Sequence, residues 1–108
     1  MYEVFQSEKS GKFYFRLKAT NGQVILASEA YEKKSGAENG VASVQKNGQK
    51  EERFERKLGR VRGLYFVLRA GNGQAIGKSE SYASEAGMEK GIASVMRNCV
   101  SQTVNDLT

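Results

Sequence analysis

Ser28-Glu29-Ala30-Tyr31 and Ser79-Glu80-Ser81-Tyr82 set a hydroxyl, a carboxylate and a phenol at one spacing, twice in one chain. Two carboxylates held close together push one pKa up, so a Glu29–Glu80 pair is an arrangement that could serve acid–base chemistry. The competing reading is architectural: the tyrosine packs at a strand-to-helix corner, and the glutamate sits near a helix N-terminus that favours negative charge. The remaining inventory favours architecture. There is no histidine, which removes the commonest general base and the commonest transition-metal ligand together. One cysteine, Cys99, and one aspartate, Asp106, leave no zinc or calcium set and no Ser–His–Asp or Cys–His arrangement. No catalytic residue, metal or cofactor is expected. Cys99 follows an apolar helix stripe and reads as a small buried hydrophobe. The string GNGQAIG at 71–77 has one residue too many between its last two glycines for a dinucleotide fingerprint, and it lies between strands.

A surface is the other source of chemistry. Tyr14, Arg16, Lys18, Tyr65 and Arg69 fall on the polar side of two alternating strands. Tyrosines flanked by cations on a sheet are one way to hold single-stranded nucleic acid. The net charge of +5 is concentrated: residues 46–62 carry seven Lys/Arg against three Asp/Glu, whereas residues 63–108 balance at four against four. That basic segment supplies Lys50, Arg53, Arg56, Lys57, Arg60 and Arg62 as candidate phosphate contacts. Glu51, Glu52 and Glu55 are interleaved with them, and mixed charge of this kind commonly makes a solvated face. The two tyrosines are either exposed or covered where the two halves of the chain meet. The expected function is a non-enzymatic binding or interaction module of unknown ligand, with nucleic-acid binding through the basic connector and tyrosine face as the alternative.

The elements that must position these residues come from a repeat. A shift of 51 residues lays Phe13–Asn47 on Leu64–Asn98 with 18 of 35 positions identical and no gap. Each copy opens with a strand, YEVFQ or RFERK. Each continues with a period-two strand, KFYFRLK or GLYFVLR, which alternation marks as half-buried. Asn21-Gly22 and Asn72-Gly73 then predict a tight hairpin turn into a third strand. A helix closes each copy, with Ala37, Val41 and Val44 or Met88, Ile92, Val95 and Cys99 at helical spacing. Ser35 and Glu38 offer a capping box for the first helix, and Ser84 a start for the second. Gly36, Gly40, Gly87 and Gly91 cost roughly 1 kcal/mol each inside a helix relative to alanine, so their presence predicts close packing against the sheet or the other helix. One unit of about 50 residues is too small for a comfortable core, which predicts two units sharing one.

The sequence therefore predicts a single α+β domain, 1–108. It consists of two strand–strand–strand–helix repeats (about 1–48 and 52–99) with pseudo-twofold symmetry and an antiparallel sheet. Residues 100–108 are expected to fray. With 39% hydrophobic and 27% charged residues the chain reads as globular rather than disordered. No apolar run is long enough to span a membrane, no leader pattern opens the sequence, and a lone cysteine suits a reducing compartment. The expectation is a cytoplasmic monomer.

The repeated pattern resembles the YegP-like family of small bacterial proteins. The resemblance is carried by Phe15-Arg16-Leu17-Lys18-Ala19, Asn21-Gly22, Tyr31 and Gly40-Val41-Ala42-Ser43-Val44. It returns in Phe66-Val67-Leu68-Arg69-Ala70, Asn72-Gly73, Tyr82 and Gly91-Ile92-Ala93-Ser94-Val95. It implies tandem α+β units arranged about a pseudo-twofold axis, a fold that single-unit members would complete by dimerising. It brings no established activity.

Overall fold

The computed structural model describes residues 1–60 and 63–108. In chain order the elements are β1 (Tyr2–Gln6), β2 (Phe13–Lys18), β3 (Val24–Ser28), α1 (Lys34–Asn47) and a 3-10 turn (Glu51–Arg53). There follow β4 (Phe54–Gly59), β5 (Gly63–Arg69), β6 (Ala75–Lys78), α2 (Glu85–Asn98) and β7 (Val104–Asp106). The strands form one sheet in the order β4-β5-β6-β3-β2-β1-β7. The fold is α+β, as expected, but the sheet is mixed: every pairing is antiparallel except β1 with β7, which is parallel. The segment expected to fray supplies that exception. Tyr2 N–H donates to Thr103 O and Leu107 N–H donates to Val4 O (2.9 and 2.8 Å), so the backbone of β1 captures a segment that carries no periodic apolar pattern.

Alternation in β2 and β5 sorts side chains as the sequence implies. Phe15, Leu17, Phe66 and Leu68 are buried, while Tyr14, Arg16, Tyr65 and Arg69 are only half-buried. Arg16 pairs with Ala27, Ala27 with Lys78, and Lys78 with Val67, so Arg16 and Val67 share one face of the sheet. Phe15 and Phe66 share the other, and both helices lie on it. Ala37, Val41 and Val44 of α1 and Met88, Ile92 and Val95 of α2 join the strand residues in one buried cluster. Burying a side chain of this size contributes roughly 1.5–3 kcal/mol, which is why the amphipathic stripes face the sheet. Tyr2, fully buried, donates its hydroxyl to Cys99 O at 2.7 Å and ties the first strand to the end of α2.

The helix glycines answer to the aromatic floor. A Cβ on Gly40 would meet Phe15 Cε2 at 2.5 Å and the Tyr31 hydroxyl at 2.7 Å, and one on Gly91 would meet Tyr82 Cζ at 2.6 Å. Gly36 is less tight, with Tyr31 Cδ1 at 2.9 Å, and the matching Gly87 meets nothing closer than 3.4 Å. Helix starts differ too. Ser84 caps α2 by accepting from Gly87 N–H (3.1 Å). The first helix begins at Lys34 with Lys33 at its cap and no side-chain bond, so the Ser35–Glu38 box does not form. In the hairpin turns only the glycines are left-handed, Gly22 and Gly73 both at φ 85°; Asn21 and Asn72 instead accept from Gln23 N–H and Gln74 N–H. Two contacts join positions that the 51-residue shift relates: Ala27 pairs with Lys78 in the sheet centre, and Gly48 lies against Cys99.

Candidate binding surfaces

Ser28 and Ser79 have backbone work to do. Phe15 N–H donates to Ser28 Oγ (2.9 Å) and that hydroxyl donates to Glu29 O (2.8 Å); Phe66 N–H and Ser79 Oγ repeat the arrangement at 3.0 Å with Glu80 O at 2.8 Å. Tyr31 bridges Phe13, and Tyr82 bridges Leu64. Their rings stack on Phe15 and Phe66 at 6.4 and 6.2 Å, and burial raises both phenols. The antiparallel register at Ala27–Lys78 carries Glu29 and Glu80 in opposite directions. They end four residues apart along the strands, about 13 Å, so they make no carboxylate pair. The motif closes strand onto helix.

The polar face of the sheet is largely neutralised from within. Glu3, buried at 6% exposure, accepts from Arg16 Nε at 2.7 Å and lies 3.2 Å from Lys18 Nζ; the Arg16 hydrogen bond foremost holds its carboxyl below the usual range. The Arg16 guanidinium also covers the Phe5 ring at 4.5 Å, and Phe5 stacks on Tyr14 at 5.6 Å. On the other half Glu55 takes Arg69 at 2.7 Å and Lys57 at 3.6 Å, with Arg69 again the first cause of a lowered carboxyl pKa. Arg56 turns to Glu89 (2.5 and 2.8 Å) and Glu51 (3.4 Å). Tyr14 and Tyr65 are not neighbours. Three strand spacings and four residues of register separate them, roughly 20 Å, so they form no shared platform. Arg60 is exposed beyond β4, and Arg62 lies outside the described residues.

Other cations of the basic segment go elsewhere. Lys46 and Lys50 are exposed, and among the described residues neither meets a carboxylate. Arg53 donates Nε to Asn47 Oδ1 (3.3 Å), and its guanidinium lies beside Gly71. All three line a cleft of about 580 Å³ between α1 and the β5–β6 turn, with Asn39, Ala42, Ser43, Asn47 and Ala70–Asn72. A second cleft of about 520 Å³ adjoins it through Asn39, Ser43 and Ala70, and runs past Gly40, Gln74 and Ile76 to Tyr31 and Glu29. Both are open grooves on the surface rather than enclosed cavities. Lys46 was not among the sequence candidates, because it stands on the helix face and only the tertiary fold sets it opposite a hairpin turn.

A family model described as a domain of unknown function (DUF1508) matches the chain twice, over residues 8–55 and 62–106. The YegP protein of Yersinia pestis is 50% identical over 107 residues, covering 99% of this chain and 95% of that protein. This chain belongs to the YegP-like UPF0339 family. Among other members, YegP of Escherichia coli strain K12 is 49% identical over 106 residues, covering 96% of each chain. Two solution NMR structures share the fold of this UPF0339 chain. One is the UPF0339 protein SO3888 of Shewanella oneidensis, with a TM-score of 0.91 at 47% identity, covering 99% of this chain and 90% of that one. The other is yegP of E. coli, described as a protein of unknown function, with a TM-score of 0.92 at 48% identity, covering 99% and 91%. No helix among the described residues of this UPF0339 member is long and apolar enough to cross a membrane.

Proposed function

We propose that the protein is a non-enzymatic binding module whose ligand seats in the cleft between α1 and the β5–β6 turn. The observation that carries this reading is the origin of the lining: α1 comes from the first sequence copy and the turn from the second, so neither copy alone has both walls. The lining is rich in amides and hydroxyls (Asn39, Ser43, Asn72, Gln74) and suits holding a polar molecule rather than transforming one. The reading includes an internal duplication about a pseudo-twofold axis. The self-contacts Ala27–Lys78 and Gly48–Cys99 support that axis, because equivalent positions meet only on it. It also makes the chain a monomer in the cytoplasm, with both units supplied by one molecule.

An amide NMR titration of the labelled protein against a library of polar metabolites tests it. Binding should move the signals of Asn39, Ser43, Ala70 and Gln74 together. Short single-stranded RNA that instead moves Tyr14 and Tyr65, with shifts fading as salt rises, would replace this reading with nucleic-acid binding. Turnover lost in Glu29→Gln or Glu80→Gln without unfolding would replace it with catalysis.

A further inference from the structure

We infer that the cleft takes a small molecule bearing one terminal phosphate, seated at the Lys46–Lys50–Arg53 end; this rests on the cleft being the ligand site. Charge within the fold singles out that end of the cleft. Arg16, Lys18, Arg56, Lys57 and Arg69 each have a carboxylate within 4 Å, whereas Lys46, Lys50 and Arg53 have none among the described residues and converge on one cleft. Glu51 turns away to Arg56, and neither it nor Glu52 lines that cleft. Three cations around a concave surface are a large local excess of positive potential.

Orientation points the same way. Arg53 is fixed by Asn47, whose own side chain is anchored to Ser43 O at 2.9 Å, so the guanidinium is held in place before any ligand arrives. A planar guanidinium beside two flexible ammonium groups matches the three oxygens of a phosphate monoester. The lining favours a small ligand over a polymer. The far end of the joined clefts carries the Glu29 carboxylate, which would repel a phosphodiester chain running through but would accept from a hydroxyl or amine at the other end of a short molecule.

The second sequence copy provides an internal control. The 51-residue shift carries Lys46 to Arg97, but Lys50 to Ser101 and Arg53 to Val104, so the matching region beyond α2 keeps one of the three cations.

The test is an amide NMR titration at low ionic strength with inorganic phosphate, ribose 5-phosphate, ribose and octathymidylate. The protein is compared as wild type, Lys50→Gln, Arg53→Gln and Arg97→Gln. Ribose 5-phosphate and, more weakly, phosphate should shift the signals of Lys46, Lys50, Arg53 and Asn72. Lys50→Gln should weaken ribose 5-phosphate about tenfold, the loss of one charge-assisted hydrogen bond, and Arg97→Gln should leave it unchanged. Lys50 is exposed and its side chain makes no hydrogen bond or ion pair among the described residues, so its variant remains informative if Arg53→Gln destabilises the chain. No response to either phosphate compound, or a response unaltered in Lys50→Gln, overturns the inference. Ribose shifting Asn39 and Ser43 equally in all variants would keep the cleft as the binding site and remove the phosphate. Octathymidylate binding more tightly than ribose 5-phosphate, with shifts on β2 and β5, would overturn both readings.

Discussion

Phe13–Asn47 and Leu64–Asn98 close sheet onto helix with the same parts: a serine that takes a strand amide, a tyrosine stacked on a phenylalanine, and a glycine beneath both rings. They diverge where the chain leaves the helix. After α1 it passes through Lys50 and Arg53 into β4, an edge strand with no outer partner among the described residues. After α2 the matching positions are Ser101 and Val104, and the chain turns back to cover the outer edge of β1. The shared parts are those on which the core depends. The divergent ones sit outside it, where substitution costs little stability and charge can be redistributed, so a difference between the halves marks where function has room to reside.

The shared glycines Gly40 and Gly91 are the positions where change costs most. Gly40→Ala and Gly91→Ala should each destabilise by about 2–3 kcal/mol, because the added methyl meets ring atoms that are themselves packed. Urea denaturation checks this, and near-equal losses in the two halves are the expected outcome.

Next come the two glutamates beneath the cations. Glu3 is buried between Arg16 and Lys18, whereas the Glu55 side chain is 46% exposed beside Arg69. Glu3→Gln should cost about 1.5–3 kcal/mol, the range for a hydrogen bond to a charged group, and Glu55→Gln should leave the urea midpoint unmoved. The carboxyl of Glu3 is lowered in the folded state, so its contribution is present in full above the ordinary glutamate range, near pH 4.3. It fades as pH falls through the lower folded value. The gap between wild type and Glu3→Gln should therefore shrink in acid, as seen in unfolding curves collected from neutral pH downward.

A finer difference separates Gly36 from Gly87, which occupy matching positions. Gly36→Ala should destabilise by about 1 kcal/mol through the Tyr31 ring. Gly87→Ala, with only ordinary contacts, should stabilise by up to about 1 kcal/mol from helix propensity alone. The signs are opposite, and thermal melts of the pair decide it.

The helix caps differ least in energy. Lys33→Ser should give α1 the bond that Ser84 already gives α2 and stabilise by about 0.5–1 kcal/mol, while Ser84→Ala should lose about as much.

Much of this was legible in the chain. Alternation in FYFRL and GLYFVL assigned Phe15, Leu17, Phe66 and Leu68 to the buried side, since a pleated strand sends successive side chains to opposite faces. Gly36, Gly40 and Gly91 announced close packing because nothing else compensates their cost, whereas Gly87 makes only ordinary contacts and departs from that expectation. The Ser35–Glu38 capping box does not form because a cap is set by where the backbone enters the helix, and Lys33 occupies the place of Ser84 whatever its side chain. The tail was misread because β7 is held by backbone hydrogen bonds to β1, which no side-chain period records.

Periodicity and composition are local properties, so the chain alone gives both helices, the strands β1 to β6, their buried faces and the lack of histidine. Which charges survive is settled by the fold. Glu3 lies 13 residues from Arg16 and Glu89 lies 33 from Arg56, so their cancellation depends on strand register and helix placement, and no window of sequence contains it. Lys46, Lys50 and Arg53 are read along the chain as part of one solvated basic run. Folded, they stand against a turn from the other half of the molecule, because a cleft needs two walls and the chain supplies the second only some 20 residues later.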